Sequence, residues 1–383
     1  MSPDYDEAVG RCEGTGVGNG SLVKRAWAVS VLATLVVLAG CSQNGGENRS
    51  GSDRTVRPSG GADSTTTVSS RPSTTTATTV APTTTTTVPP PPEVRALDLR
   101  RTPFRLLCPD GPVRVSAGAG GQSASGRVTL ESFDITYAEL TGDGQEDALV
   151  AATCVLDQGN AYVASIAVVR SETAGPVQVG DPVEGFDPVV VGGRPVVTRS
   201  VYADDDPRCC PSATAYVPLS LAGGSWREGG GGTPPSTGDR ATTTGLGPLR
   251  IGTSFAELAG AVGETVEVSD PAESDGSCVY VSVSSLGDRV HGLGGAGRLR
   301  SLEVDDSAIR TQSGLGIGST EVEVQAAFPG KILVEPHEYT DGHYLLFRPN
   351  DGSGAVVFET DGITVTRYRL GDPAFATALE GCA

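Results

Sequence analysis

The chain has 383 residues, enough for two domains of about 100 to 150 residues once low-complexity stretches are set aside. Its 46 acidic side chains outnumber 28 basic ones, for a formal net charge of −18; residues 94–222 carry 10 basic against 16 acidic, and residues 245–383 carry 9 against 20. Nucleic acid and an anionic lipid surface both require clustered Lys and Arg, so neither half has the composition to bind them by charge.

In chain order, residues 1–23 contain Gly14-Thr15-Gly16-Val17-Gly18, but a phosphate loop needs a strand before it and a helix after it, and neither is present. Lys24 and Arg25 then form a short basic segment, Ala26 to Val37 an almost uncharged apolar one, and small residues lead to Cys41. The apolar stretch Ala26 to Ala39 has 14 residues, short of the roughly 20 that span a bilayer as a helix. Leu38-Ala39-Gly40-Cys41 resembles the box that closes a bacterial lipoprotein signal peptide. The resemblance implies that residues 1–41 are a signal peptide with lipobox, that Cys41 is diacylated on sulfur with palmitate-like chains, and that it becomes the mature N-terminus. Translation is then expected to start nearer the basic residues, and Cys12 has no role. Two or more acyl chains hold a protein stably, which places this one on the outer, extracytoplasmic face of the cytoplasmic membrane. Lysine occurs only at Lys24 and Lys331; with abundant Gly, Ala, Val and Thr, the composition resembles an actinobacterial secreted protein.

Residues 42–93 are Gly, Ser, Asn and Asp followed by Thr and Pro, including Thr83 to Thr87 and Pro89 to Pro92. Such a segment has too little apolar mass to offset chain entropy and is expected to be a disordered stalk. Its proline-rich end favours extended chain, so some 50 residues reach on the order of 150 Å.

Residues 94–222 read as a β-rich domain. Val128 to Thr136, Ala148 to Thr153, Tyr162 to Arg170 and Val196 to Val201 are β-branched runs between turn-forming residues. Glu139-Leu140-Thr141-Gly142-Asp143-Gly144-Gln145-Glu146-Asp147 reads first as an Asp-Gly hairpin turn. It also resembles the calcium loops of FG-GAP repeats, which would make Glu139, Asp143 and Asp147 the ligands of a Ca²⁺ ion; no other cofactor is expected. Setting aside Cys12 and Cys41 leaves Cys108, Cys154, Cys209 and Cys210 here and Cys278 and Cys382 further on. Even counts in an exported chain imply disulfides. Cys278 is expected to join Cys382; with a vicinal bond set aside, Cys108 and Cys154 each take one of the adjacent pair, in an order left open. The Cys-Cys-Pro-Ser element after Asp204-Asp205-Asp206 gives this domain a loose resemblance to LppP/LprE-type lipoproteins, which implies no activity.

Residues 223–244 are rich in Gly and end in Thr-Thr-Thr, and read as a linker. In residues 245–383, Ile251-Gly252-Thr253-Ser254-Phe255-Ala256-Glu257 returns 66 residues later as Ile317-Gly318-Ser319-Thr320-Glu321-Val322-Glu323. Ser254 with Glu257 and Thr320 with Glu323 are capping boxes, predicting helices over about 255–262 and 321–328. Strands are expected at 278–284 and 298–304 in the first copy, and at 332–334, 343–348, 355–359 and 363–369 in the second. The expected class is therefore α+β: a β-rich domain followed by a tandem repeat of a short helix and an antiparallel meander. That repeat resembles the β-lactamase-inhibitor-protein fold and the SmpA/OmlA envelope lipoproteins.

No Gly-x-Ser-x-Gly elbow or His-Glu-x-x-His helix occurs, so an enzyme is not expected. Glu335, His337, Glu338, Asp341 and His343 flank a tight turn, where strand alternation scatters them over two faces. The expected role is a cell-surface protein-binding or envelope-associated module, with a protein or cell-wall partner. The alternatives are inhibition of a secreted enzyme, as the inhibitor resemblance implies, and an unrecognised extracellular hydrolase. Short helices must pack on the sheet, so the opposite sheet face is expected to be free. Either Tyr344 or the His343 and Phe347 pair then contacts the partner.

Overall fold

Val, Thr and alternating apolar residues dominate the folded part of the chain, and it is predominantly β. The structure, a computed structural model, describes residues 90–108, 111–116, 120–122, 127–156, 162–207, 210–269 and 277–382. The expected signal peptide, the expected lipidation at Cys41 and the expected stalk up to residue 89 lie outside the described residues.

A single 3-10 turn (Val94–Ala96) precedes β1 (Phe104–Cys108), β2 (Gly111–Ser116), β3 (Gly120–Gln122), β4 (Arg127–Ala138), β5 (Asp147–Leu156), β6 (Tyr162–Glu172) and β7 (Gly175–Glu184), which pair in sequence order. All six pairings are antiparallel. Register shifts at Leu130/Ser132 and Ile166/Val168 bend the long strands, and the sheet rolls until β1 meets β7. The Gln178 side chain accepts from the Arg105 N–H (2.9 Å) and donates to the Arg105 carbonyl (3.1 Å), standing in for a strand neighbour across that seam. Phe104, Leu106, Val150, Ala167 and Val169 fill the inside of the roll.

The roll also decides the cysteine pairing. It brings β1 against β5, and Cys108 and Cys154 form a disulfide across a Cα separation of 5.3 Å. That overturns the expectation that each joins one of Cys209 and Cys210; Cys209 lies outside the described residues. Cys278 and Cys382 form the second disulfide.

The rest of the chain supplies β8 (Phe186–Val191), β9 (Arg194–Val201), β10 (Ala213–Ala222), β11 (Ser225–Glu228), β12 (Arg240–Thr242), β13 (Gly245–Leu246), β14 (Leu249–Arg250), α1 (Phe255–Val262), β15 (Val266–Ser269), β16 (Val279–Val283), β17 (Val290–Gly295), β18 (Arg298–Val304), β19 (Arg310–Thr311), α2 (Glu321–Ala327), β20 (Ile332–Pro336), β21 (His343–Phe347), β22 (Ala355–Thr360), β23 (Val365–Gly371) and α3 (Pro373–Ala376). One sheet runs in the order β20-β21-β22-β23-β18-β17-β16-β15-β10-β9-β8, with β11 on β10. The β10–β15 pairing carries it across residues 223–244, where the sequence predicted a linker and where β11 and β12 lie. A small sheet, β14-β13-β12-β19, closes one side.

Alternation assigns the two faces of the long sheet. Val266, Val281, Leu302, Phe358, Tyr368 and Leu345 face α1 and α2, whose Leu258 and Val324 are fully buried in the same core. On the opposite face Val197, Val217 and Leu219 take Leu149, Ile166 and Val168 from the outside of the roll. Further along, α3 and Leu379 cover Tyr344, Leu346, Ala355 and Val357. The face opposite the helices, expected to be free, is thus occupied at both ends.

Candidate binding pocket

Between the small sheet and the β21–β22 end of the long sheet lies a pocket of about 350 Å³. Its floor is Phe328, Phe347, Val356 and Phe358; its rim is Thr242, Thr243, Thr311, Gln312, Ser313 and Ser353. Phe347 enters because strand alternation turns it to the same face as Leu345. Phe328 enters because the chain leaves α2 at that residue with φ −131°, and the two rings stack at 4.1 Å. Phe358 is held from beneath by Tyr368 (5.8 Å), whose buried hydroxyl donates to the Ile309 carbonyl (3.1 Å). Burial pushes the Tyr368 hydroxyl far above the usual tyrosine range, so it stays a neutral donor.

The rim is built by contacts between distant segments. The Gln312 N–H donates to the Ala241 carbonyl (2.9 Å), tying β12 to the turn after β19. Thr243 and Ser353 share a hydrogen bond of 3.0 Å between their hydroxyls. Gly354 makes that approach possible: at φ +132°, a Cβ there would meet the Thr243 carbonyl at 2.6 Å and the Gly371 carbonyl at 2.7 Å. The Thr311 hydroxyl donates to the Leu315 carbonyl (3.0 Å) and accepts the Leu315 N–H (3.1 Å), which fixes the turn carrying Gln312 and Ser313. The lining contains no Asp, Glu, His, Lys, Arg or Cys. It offers aromatic faces and hydroxyl edges, but no acid, base or thiol nucleophile. Its volume falls within the range of small-ligand sites, about 300–1,000 Å³.

The expected contact residues divide between the two faces. Phe347 forms part of the pocket floor. His343 is half-buried, its Nδ1 2.8 Å from Glu321 Oε1, and Glu321 also accepts the Thr360 hydroxyl (2.5 Å). Tyr344 is only 5% exposed and stacks on His337 at 4.5 Å, so it is a packing residue and not an exposed anchor. His337 Nε2 lies 3.1 Å from Glu359 Oε1. Glu359 and Glu303 both hold the buried Arg369 guanidinium, at 2.6 and 2.8 Å. Two histidines six residues apart therefore belong to separate networks.

In the 139–147 loop the carboxylates of Glu139, Asp143 and Asp147 are turned onto the loop's own backbone, while Glu146 accepts from the Arg95 guanidinium (2.7 Å). Asp147 Oδ2 accepts the Leu140 and Thr141 N–H groups (2.8 and 2.9 Å), Glu139 accepts Gly142 N–H (2.6 Å) and Asp143 accepts Gln145 N–H (2.8 Å). Burial raises the Asp147 carboxyl above its ordinary value, opposed by those amides. No group of three His, Cys, Asp or Glu side chains able to hold a metal is found among the described residues.

The pocket was not legible in the sequence. Its lining comes from segments spread over residues 241–358, and the one available signal is that Phe328 and Phe347 bracket β20, a spacing without a motif. The chain matches no protein-family model, no curated protein and no solved structure.

Proposed function

We propose that this chain is an extracytoplasmic, lipid-anchored binding module, and that it works by taking an apolar side chain of a protein partner into the pocket floored by Phe328, Phe347 and Phe358. The observation that carries this reading is the pocket's chemistry: stacked aromatic rings below, neutral hydroxyls and one amide above, and no charged group in the lining. Such a site favours a neutral aromatic or branched residue and rejects a charged one, because an unpaired charge is costly to bury. The anchoring half of the reading rests on Leu38-Ala39-Gly40-Cys41 in the sequence.

The finer description of the fold belongs to this proposal. We infer that residues 251–304 and 317–371 are two copies of one unit, and the support is hydrogen bonding at a constant offset of 66 residues. Gly252 N–H donates to the Leu299 carbonyl and Leu299 N–H to the Thr253 carbonyl; Gly318 and Val365, with Ser319, do the same. An inhibitor of a secreted enzyme would be one use of such a module.

The test is a nuclear magnetic resonance titration with N-acetyl-phenylalanine amide as probe. Saturable shifts at residues 241–243, 311–313 and 347–358, abolished by Ser353→Trp at the exposed rim, are expected. Absence of shifts at millimolar probe overturns the pocket reading. Separately, Cys41→Ala should release the protein from membrane fractions, and its retention there overturns the anchoring reading.

A further inference from the structure

β20 ends the long sheet: β21 pairs with one side of it, and no strand among the described residues pairs with the other. Open edges bearing apolar side chains template further pairing unless something blocks them. Here Leu333 and Val334 are 54% and 43% exposed. The other long-sheet edge, β8, lies against α1 and the roll.

The hydrogen bonds around β20 fix which of its backbone groups face outward. His337 N–H donates to the Gly342 carbonyl (3.0 Å), one rung beyond the β20–β21 ladder, so odd-numbered residues of β20 turn toward β21. His343, opposite Pro336, points its N–H and C=O to the Thr360 hydroxyl on the β22 side, which agrees. Ile332, Val334 and Pro336 therefore turn their backbone groups to the open side, and Pro336 brings no N–H.

We propose that β20 pairs antiparallel with β20 of a second copy of this chain about a two-fold axis at Leu333, joining two long sheets into one. In this register Ile332 of each copy faces Val334 of the other, and these two rungs use both outward donors of each strand. Leu333 faces Leu333. Lys331 faces Glu335 at both ends, so the only lysine after residue 24 meets a carboxylate twice. Moving the axis to Ile332 sets Lys331 against Leu333. Moving it to Val334 sets Ile332 against Pro336, which cannot donate. Charge complementarity and donor parity select the same register independently, and that agreement favours a second copy over an unrelated strand.

Sedimentation of the purified full chain tests the pairing. Val334→Pro removes an outward N–H at an edge position that tolerates proline, and it should leave a folded monomer by circular dichroism. Lys331→Glu should weaken the dimer about tenfold by setting like charges opposite each other, and Lys331→Glu with Glu335→Lys should restore it. Zero-length carbodiimide coupling of mixed isotopically heavy and light copies should link Lys331 of one to Glu335 of the other. A chain that stays monomeric at millimolar concentration overturns the proposal. So does a dimer indifferent to both the proline and the charge swap, or one whose cross-links avoid this pair.

Discussion

The two capped helices carry the same signature and end in different surroundings. In α1, Ser254 Oγ accepts the Glu257 N–H and Glu257 accepts the Ser254 N–H; in α2, Thr320 and Glu323 repeat both bonds. Of the eight residues of α1, six are buried, whereas in α2 only Val324 is. The reason lies in what stands opposite: α1 is packed between β8, β9, β10, β14 and β15, while α2 lies beyond them with Val322 75% exposed. They also end differently. Gly263 closes α1 in the left-handed conformation at φ +71°, whereas α2 ends at Phe328 and delivers that ring to the pocket. A capping box fixes where a helix begins; burial is set by elements far away in the sequence.

Substitution tests this contrast, and chemical denaturation is the measurement for the core, cap and surface positions. Leu258→Ala in α1 should cost about 3 kcal/mol, from lost burial and the cavity left behind. Val324→Ala should cost about 1.5 kcal/mol, since a smaller side chain is removed; a larger loss at α2 would mean that it, and not α1, contributes more to the stability of the core. Next, Ser254→Ala and Thr320→Ala should each cost about 1 kcal/mol. Equal costs support a local cap, and a gap as wide as that between the core substitutions breaks the comparison. Val322→Ser should lie within about 0.5 kcal/mol of zero, as exposed positions usually do.

The smallest effect is a pH dependence. Hydrogen bonds from Ser254 and Thr320 hold the Glu257 and Glu323 carboxyls below their ordinary values. A carboxyl with a lowered folded value contributes stability above its unfolded value and loses it as pH falls through the folded one. The double Ser254→Ala, Thr320→Ala variant should therefore show a flatter stability profile on the acid side. An unchanged slope would assign the acid dependence to other groups.

What the sequence revealed follows the same division between local and distant causes. The bounds of α1 were legible because a capping box and a glycine bracket it. The strands at 298–304 and 343–348 were legible as short runs between turn-forming residues, Gly297 and Asp305 around the first and Gly342 and Pro349 around the second. β17 was not, because Gly292 and Gly294 read as turn residues; yet a Cβ at Gly294 would meet the Phe255 ring at 2.7 Å, so the glycine serves packing. The burial of Tyr344 was equally hidden. It depends on α3, a helix of four residues capped by Asp372 with Pro373 at its first position, too short to give a periodic signal. The pairing of Cys108 with Cys154 required knowing that the first sheet rolls, which no spacing of cysteines encodes.

The bridge between Cys278 and Cys382 also determines how this protein bears load. The two residues are 104 apart, and β16 through β23 lie within the covalent loop they close. A pulling force arriving at Cys382 passes through sulfur into Cys278, bypassing every strand between them. The tail over Tyr344 and the ladders from β16 to β23 are then mechanically shielded, and extension proceeds only through the strands before Cys278. Stretched by both ends in an optical trap, the oxidised chain should give a contour length shorter than the reduced one by the lengths of two covalent loops, this one and the smaller one closed by Cys108 and Cys154.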